Sequence, residues 1–255
     1  MRKLSAALLL LLVAATSGEA EWIVTSANTE PGRGGLQHRH VVLQDAETRE
    51  NATIDLALFS KTSCALRVID QPTTPRNDLA QVMEQRNCLA GVNGGYFGPD
   101  YALIGLLIVD GNIIAPLQRA RLLTGLLAAS PRGVQILRIR ELSPQQKLNA
   151  AVQCGPMLVD LGRRVRGLEE TRTARRTFAA VGDSDRTALG FCSNVSLSDL
   201  AKILATPGFA EDFKIQRALN LDGGSSSAFW FARERGAFSI PEQKTVRNFV
   251  AIVAR

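Results

Sequence analysis

Hydrophobic and polar residues form short alternating or continuously apolar runs along most of the chain. Such runs predict β-strands, because a half-buried strand alternates its side chains and a strand buried on both faces is apolar throughout. The predicted strands are 38–43, 53–59, 65–69, 103–109, 133–139, 151–159, 177–181, 187–192, 218–221, 228–231 and 246–254. An Asp-Gly-Asn turn at 110–112, between apolar flanks, predicts a hairpin.

Two segments have a helical pattern instead. One is predicted to begin near Thr74, with Pro75 in the first helical position, and to continue through NDLAQVMEQ. The other is SLSDLAKILA, in which Ser196 is the N-cap and Asp199 follows three residues later. Many strands with few helices and no strict alternation predict a single α+β domain of curved, mostly antiparallel sheets with a few flanking helices.

Residues 1–20 have the pattern of a secretory signal peptide. Arg2 and Lys3 precede an apolar run at 4–15, and small and polar residues follow it up to an expected cleavage after Ala20. No later stretch reaches the roughly 18 apolar residues that a membrane span needs. We therefore expect residues 21–255 to form a secreted or periplasmic domain that is not stably inserted in a membrane after cleavage.

Export changes the interpretation of the four cysteines. They are even in number and all follow the predicted signal, which favours two disulfide bonds outside the cytosol. Three pairings are possible and the sequence does not choose among them. We favour Cys64–Cys88 with Cys154–Cys192.

Net charge and composition exclude few classes of binding partner. The formal net charge is +6, which suits an anionic polymer or a phosphate-bearing substrate, but aromatic residues make up only 5% and none alternates with basic residues. A nucleic-acid partner is therefore not expected. His38 and His40 alternate on a predicted strand without an evident third ligand, so neither a metal nor another cofactor is expected.

Four predicted strands end in glycine and polar residues rather than in an ordinary turn. They are GVNGGYF at 91–97, QCGPMLV at 153–159, RRTFAAVGD at 175–183 and LNLDGGSSS at 219–227. Glycine pairs let the backbone approach a ligand closely, and the amides of such turns can bind an anion. Taken singly, each segment also fits a plain turn, in which Asn93 or Asp222 bonds to its own backbone.

In this order and spacing, the four segments resemble the phosphodiester glycosidase family, from about residue 57 to the C-terminus. The resemblance implies an exported hydrolase that cleaves the bond between a sugar anomeric carbon and a phosphodiester oxygen in an envelope or capsule glycan, without a cofactor. Two departures are Ser225, where family members often have a third glycine, and the neighbouring arginines of RRTFAAVGD.

The resemblance assigns catalytic roles to Asp222, Arg176 and Asn93. The residues expected to bind the substrate are Arg175, Asn220, Gly94, Gly95, Gly223, Gly224, Ser225 and Ser226. Strand alternation favours Arg176 over Arg175 at the pocket, but either arginine remains open.

The chemistry is compatible with this set. A departing phosphate monoester has a second pKa of about 6, so it needs little protonation, and an arginine can stabilise its charge. One acid then suffices at the anomeric carbon, as base, nucleophile or electrostatic partner. Two alternatives remain: a module of the same fold that binds phosphorylated glycans without cleaving them, and a structural envelope protein whose glycines serve packing.

Overall fold

The structure is a computed structural model that describes residues 22–143, 145–183, 185–206, 208–210 and 213–255. The predicted signal peptide at 1–20 lies outside the described residues. Within them, the chain forms two α-helices, α1 (Leu79–Gln85) and α2 (Leu197–Ala205), and eighteen strands. The strands are β1 (Trp22–Pro31), β2 (Gln37–Asp45), β3 (Asn51–Ser60), β4 (Cys64–Asp70), β5 (Ala90–Asn93), β6 (Leu107–Val109), β7 (Asn112–Ala115), β8 (Gly125–Ser130), β9 (Gly133–Arg138), β10 (Ala150–Cys154), β11 (Met157–Asp160), β12 (Arg163–Arg164), β13 (Ala174–Gly182), β14 (Arg186–Val195), β15 (Ile215–Asn220), β16 (Phe229–Ala232), β17 (Ala237–Ile240) and β18 (Asn248–Ala254).

The strands form three sheets, and every described pair of strands is antiparallel. The first sheet has eight strands in the order β1-β2-β3-β14-β13-β15-β11-β12. The second has the order β7-β6-β10-β8-β9, and the third has the order β17-β16-β5-β18-β4. The predicted antiparallel, sheet-rich character is confirmed.

One apolar cluster draws side chains from all three sheets. Ala179 and Leu219 come from the first sheet, Leu127 and Val152 from the second, and Phe229 from the third. Removing this apolar surface from water favours folding by about 25 cal/mol per Å². The shared cluster also fixes the strand ends of the three sheets relative to one another.

The N-terminus of α2 agrees with the sequence prediction, and the N-terminus of α1 does not. α2 begins after Ser196 as predicted, since the Ser196 hydroxyl accepts a hydrogen bond of 3.0 Å from the Asp199 amide. α1 begins later than predicted, after Asp78, whose carboxylate accepts from the Gln81 amide at 2.8 Å. Pro75 therefore precedes the helix. Neither helix in the described part of the chain is long and apolar enough to cross a membrane.

Several predicted strands have different bounds. The predicted run at 103–109 is a strand only at β6, and the run at 151–159 divides into β10 and β11 around Gly155 and Pro156. Proline has no amide hydrogen and therefore cannot continue a ladder. β8 was not predicted, because GLLAAS has neither alternation nor β-branched residues.

The predicted disulfide bonds are wrong. All four cysteines are free and buried. Cys154 lies in the apolar cluster shared by the three sheets, whereas Cys192 lies in the cluster beneath α2. Cys64 also lies in the shared cluster, whereas Cys88 packs beneath α1. Burial raises the pKa of the Cys88 thiol to about 11, which favours the unreactive protonated form.

Candidate active site

Parts of the four glycine-containing segments meet at one place, where strand ends of all three sheets come together. In the third segment it is the arginine end of β13 that lies there, whereas Gly182 pairs with Ile215 at the opposite end of the strand. From the third sheet, the Gly94 carbonyl accepts from the Asp222 amide at 3.1 Å. From the second sheet, the Gly155 carbonyl accepts from Asn220 Nδ2 at 2.9 Å. Within the first sheet, the Leu221 amide donates to the Thr177 carbonyl at 2.8 Å. Residues that are far apart in sequence thus surround the Asp222 loop.

Asn93 is buried at the end of β5 and is 1% exposed. Its Nδ2 donates to the Asp222 main-chain carbonyl at 2.7 Å, and its Oδ1 accepts from the Thr177 hydroxyl and from the Ala228 amide at 2.7 and 3.0 Å. These contacts tie β5, β13 and the Asp222 loop together. Asn93 therefore orients the loop, and its predicted catalytic role stays a prediction.

Gly94 and Gly95 allow the backbone to pack closely behind the site. A Cβ on Gly94 would lie 2.0 Å from Asn248 Oδ1, and one on Gly95 would lie 2.8 Å from Val152 Cγ1. The Gly94 and Gly95 amides both donate to Asn248, to its carbonyl and to its side-chain oxygen. Both amides thus have partners inside the protein, and substrate binding by these glycines stays a prediction.

The Asp222 carboxyl is partly exposed at the start of a tight turn. Burial raises the pKa of this carboxyl, against the opposing effects of the Ser226 hydroxyl, the Lys244 ammonium and the Gly223 amide. Gly224 follows with a φ of +66°, a left-handed conformation that favours glycine. The turn is closed by the Ser225 carbonyl, which accepts from the Gln243 amide at 2.8 Å.

The two neighbouring arginines have different surroundings. Arg176 Nε donates to the Val195 carbonyl at 3.0 Å and Nη2 donates to the Arg172 carbonyl, while Nη1 lies 3.8 Å from where a Cβ of Gly223 would be. No hydrogen-bond partner of Nη1 is found among the described residues. Burial lowers the pKa of Arg176, which nevertheless stays a cation at neutral pH.

Arg175 instead holds the chain behind the turn. Its Nη2 donates to the carbonyls of Ser227 and Pro241, and its guanidinium lies 5.0 Å from the centre of the Phe191 ring. These contacts give Arg175 a structural role, whereas Arg176 presents a free donor beside the acid loop. Substrate contact by Arg175 stays a prediction.

Tyr96 is a site residue that the sequence analysis missed. Its hydroxyl donates to the Gly155 carbonyl and accepts from Asn220 Nδ2 at 3.1 Å. Burial first, and then the nearby Asp222 carboxylate, raise the pKa of Tyr96, so the hydroxyl remains a donor. The signal was its place directly after Asn-Gly-Gly, where the segment leaves the sheet.

Asn220 has an unusual arrangement for a buried amide. Its Nδ2 donates to three acceptors, whereas Asn220 Oδ1 is buried with no partner among the described residues. Because a buried acceptor without a donor is unfavourable, Oδ1 is a position where a ligand hydroxyl could bind. The hydroxyl oxygen of Ser226 is also buried at the site.

The predicted histidine pair lies elsewhere. His38 Nε2 and His40 Nδ1 contact the same Asp55 oxygen at 2.8 and 2.9 Å. Over the described ranges, no three or more His, Cys, Asp and Glu side chains are grouped so as to hold a metal ion.

Comparison with known proteins adds to this geometry. The sequence model of the phosphodiester glycosidase family matches residues 86–253, which include all four glycine-containing segments. This chain belongs to the phosphodiester glycosidase family. The family resemblance of the sequence is thereby confirmed, and a hydrolase of the glycosidase type is supported.

Two solved structures have the same fold. A protein from Synechocystis has a TM-score of 0.62 at 14% identity, and the match covers 90% of this chain and 64% of the Synechocystis chain. The catalytic domain of zebrafish N-acetylglucosamine-1-phosphodiester alpha-N-acetylglucosaminidase, auto-inhibited by its pro-peptide, has a TM-score of 0.61 at 15% identity, over 94% of this chain and 85% of that domain. This chain thus spans less than two thirds of the Synechocystis protein. Among curated proteins, none matches it in sequence.

Proposed function

We propose that the protein hydrolyses the bond between the anomeric carbon of a sugar and the phosphodiester oxygen in an exported glycan. Family membership supports the reaction class. The zebrafish enzyme of the same fold is named for N-acetylglucosamine 1-phosphodiesters, which makes that sugar the first to test.

The observation that carries the proposal is the position of Asp222 relative to Arg176. Phe178 pairs with Asn220 where β13 and β15 run antiparallel, and the Leu221 amide continues this ladder to the Thr177 carbonyl. Beyond this ladder the chain turns away, since the Asp222 amide donates to the Gly94 carbonyl at 3.1 Å, and a Cβ on the next residue, Gly223, would lie 3.8 Å from Arg176 Nη1. The Asp222 turn therefore passes beside the Arg176 guanidinium, and we infer that one substrate group contacts both side chains.

This pair suits the departure of a phosphate. As the bond between the anomeric carbon and oxygen breaks, its electrons move to the phosphate oxygen, and positive charge develops on the sugar. Arg176 Nη1 can donate to the phosphate, while the Asp222 carboxylate stabilises the sugar cation. A phosphate leaving group has a second pKa of about 6, so no second carboxylic acid is needed to protonate it.

Water completes the reaction in either of two ways. As a base, Asp222 accepts a proton from the attacking water, whose oxygen bonds to the anomeric carbon and inverts it. As a nucleophile, Asp222 bonds to that carbon first, and water then releases the sugar with retained configuration. The anomer formed first, observed by NMR, separates these routes.

Two neighbours support binding at the same place. The Tyr96 hydroxyl donates its one hydrogen to the Gly155 carbonyl and accepts from Asn220 Nδ2, which orients Asn220 so that its Oδ1 can accept from a sugar hydroxyl. Export to the cell surface or periplasm is supported by the signal-like pattern of residues 1–20, and an envelope or capsule glycan is the substrate that would be met there.

The decisive experiment incubates the purified protein with a benzyl phosphodiester of N-acetylglucosamine 1-phosphate. Release of free N-acetylglucosamine and benzyl phosphate, lost in Asp222→Asn but kept in the exposed control Asp110→Asn, supports the proposal. Thermal stabilisation by the diester without any release of sugar would favour a binding module instead. If the diester is not hydrolysed and does not stabilise the protein against heat, both functions are contradicted for this substrate.

A further inference from the structure

A cleft of ≈ 720 Å³ lies beside the loop that connects β7 to β8. The loop, residues 116–124, forms one wall, and the end of β9 with the turn after it forms the other. The lining combines four arginines with apolar side chains and includes Arg119, Arg121, Arg138, Arg140, Leu117 and Leu142. One guanidinium group can donate two hydrogen bonds to two oxygens of the same phosphate. Apolar side chains can pack against the carbon face of a sugar ring.

The cleft carries a surplus of positive charge. Of the carboxylates near it, Asp160 contacts Arg138 at 2.7 Å and Arg217 at 3.1 Å, and Glu141 also pairs with Arg217. The side chains of Arg119 and Arg121 are exposed, and neither makes a hydrogen bond or an ion pair within the described part of the chain. Their charges are therefore available to an anion from solution.

The arginine-bearing loop is fastened to the segment that borders the candidate active site. Gln118 exchanges two hydrogen bonds with the buried Gln153 side chain, at 3.0 and 2.6 Å. At the other end, the Thr124 hydroxyl accepts from the Met157 amide at 2.9 Å. Between these anchors lies Gly155, where a Cβ would be 2.1 Å from the Leu122 carbonyl oxygen.

Gly155 also belongs to the candidate active site, because its carbonyl accepts from Tyr96 and Asn220. Gly155 and Met157 are two residues apart and thus at most about 7 Å apart along the chain. The arginine cleft and the candidate active site therefore both border the segment 153–157.

We propose that this cleft binds a second phosphate group of the substrate, so that the substrate is a chain of several phosphodiester-linked sugars rather than an isolated diester. The inference rests on the proposed function for the role of the first phosphate. Arg119 and Arg121 bind the neighbouring phosphate while the diester to be cleaved lies between Asp222 and Arg176. Two linked contacts raise the affinity for the chain above that for either phosphate alone.

The test compares one-unit and three-unit probes, the latter being three N-acetylglucosamine 1-phosphate groups joined by phosphodiester bonds. Binding of each is measured by calorimetry in the Asp222→Asn background, so that the probes stay intact. The expected result is that the three-unit probe binds roughly tenfold more tightly than the one-unit probe, and that Arg119→Ala/Arg121→Ala removes this preference. The matched control, Arg132→Ala/Arg235→Ala, removes the same charge from exposed positions outside the cleft and should keep the preference.

Equal affinity of the two probes, a preference that survives the Arg119/Arg121 double substitution, or an equal loss in the control would overturn the inference. Hydrolysis is read separately, as sugar released from the one-unit probe by the protein with Asp222 intact. The double variant should keep that rate, since neither arginine contacts the reacting diester. If the proposed function is wrong, no sugar is released from the one-unit probe. If only the inference about the cleft is wrong, sugar is released but the three-unit probe does not bind more tightly than the one-unit probe.

Discussion

Asn93, at the end of β5, and Asp222, in the loop after β15, are joined by a hydrogen bond of 2.7 Å from the side-chain amide of Asn93 to the main-chain carbonyl of Asp222. The bond leaves the Asp222 carboxyl free to act while its backbone is fixed. Such support matters, because a catalytic group that is displaced by about 1 Å can lose two orders of magnitude in rate.

We expect Asn93→Ala to lower the free energy of unfolding by about 3 kcal/mol, because the Thr177 hydroxyl, the Ala228 amide and the Asp222 carbonyl all lose a buried partner. Urea unfolding measures the change. Asn28→Ala, at an exposed position of β1, is the control and should change stability by less than about 0.5 kcal/mol. Equal stability of the two variants would show that the Asn93 contacts contribute little.

Asp222→Asn should abolish activity and raise stability at neutral pH. Burial raises the pKa of Asp222 above the ordinary 3.8, so the folded state binds the proton more tightly, and stability falls as pH rises through the raised pKa. Asparagine removes the cost of the buried charge. We expect a higher Tm than wild type at pH 7, a smaller difference below pH 3.8, and a rate at least about 100-fold lower.

The acid limb of the pH–rate profile checks the same residue in the wild type. An ionised Asp222 is needed as base or nucleophile, so activity should fall on acidification with an apparent pKa above 3.8. The control Asp110→Asn, which changes an exposed aspartate, should keep the acid limb of the wild-type pH–rate profile. An acid limb at or below 3.8 would argue against the raised pKa.

The two arginines should separate in kinetics. Lysine at position 176 cannot keep the contacts to the Val195 and Arg172 carbonyls while also presenting a donor beside Gly223, so we expect Arg176→Lys to lower kcat/KM by about 100-fold or more. Arg175→Lys should lower Tm and leave kcat within a few-fold, because Arg175 holds main-chain carbonyls. The reverse outcome would assign the phosphate contact to Arg175.

Tyr96→Phe removes one hydroxyl at the site. We expect a 10- to 100-fold loss of kcat, on the order of 1–3 kcal/mol in the barrier, with the fold intact. Tyr101→Phe is the matched control, because the Tyr101 ring packs with Arg76 and its hydroxyl makes no described hydrogen bond. A loss of Tm without any change in kcat would mean that Tyr96 acts only as a structural residue.

The cysteines offer a test that needs no substrate. Because all four thiols are free and buried, a reducing agent should leave Tm unchanged, and a thiol reagent such as dithionitrobenzoate should react only after denaturation. In guanidinium chloride the four thiols should then react together, each forming a mixed disulfide and releasing one equivalent of thionitrobenzoate. A lower Tm under reduction would indicate a disulfide bond in the purified protein.

Local features of the fold could be predicted from sequence because their causes are local. The Ser196 cap of α2 depends on residues within one turn, and most strands follow from alternation. α1 was placed too early because Pro75 and Asp78 both suit a helix start, and only the contact with Gln81 decides between them.

The candidate site could be predicted only in part. The glycine-containing segments identified the parts of the chain that converge, although in RRTFAAVGD the arginine end and not Gly182 lies at the site. The roles of the individual side chains depend on contacts between sheets. Asn93 and Gly94 are expected to contact the substrate, and that stays a prediction; their contacts with the Asp222 loop and with β18 could not be predicted from the sequence. The cysteine pairing failed for the same reason, since spacing along the chain does not tell which cluster a side chain enters.

β5 holds Asn93 in place only through its neighbours β16 and β18, and the Ala228 amide that Asn93 binds comes 135 residues later in the chain. A polypeptide that has been synthesised only as far as Ser227 therefore has Asp222 and both arginines but lacks β16 and β18, the strands that flank β5. Such a nascent or truncated chain should have no enzymatic activity. Activity would therefore appear only after the C-terminal strands have been synthesised and have folded onto the rest of the domain.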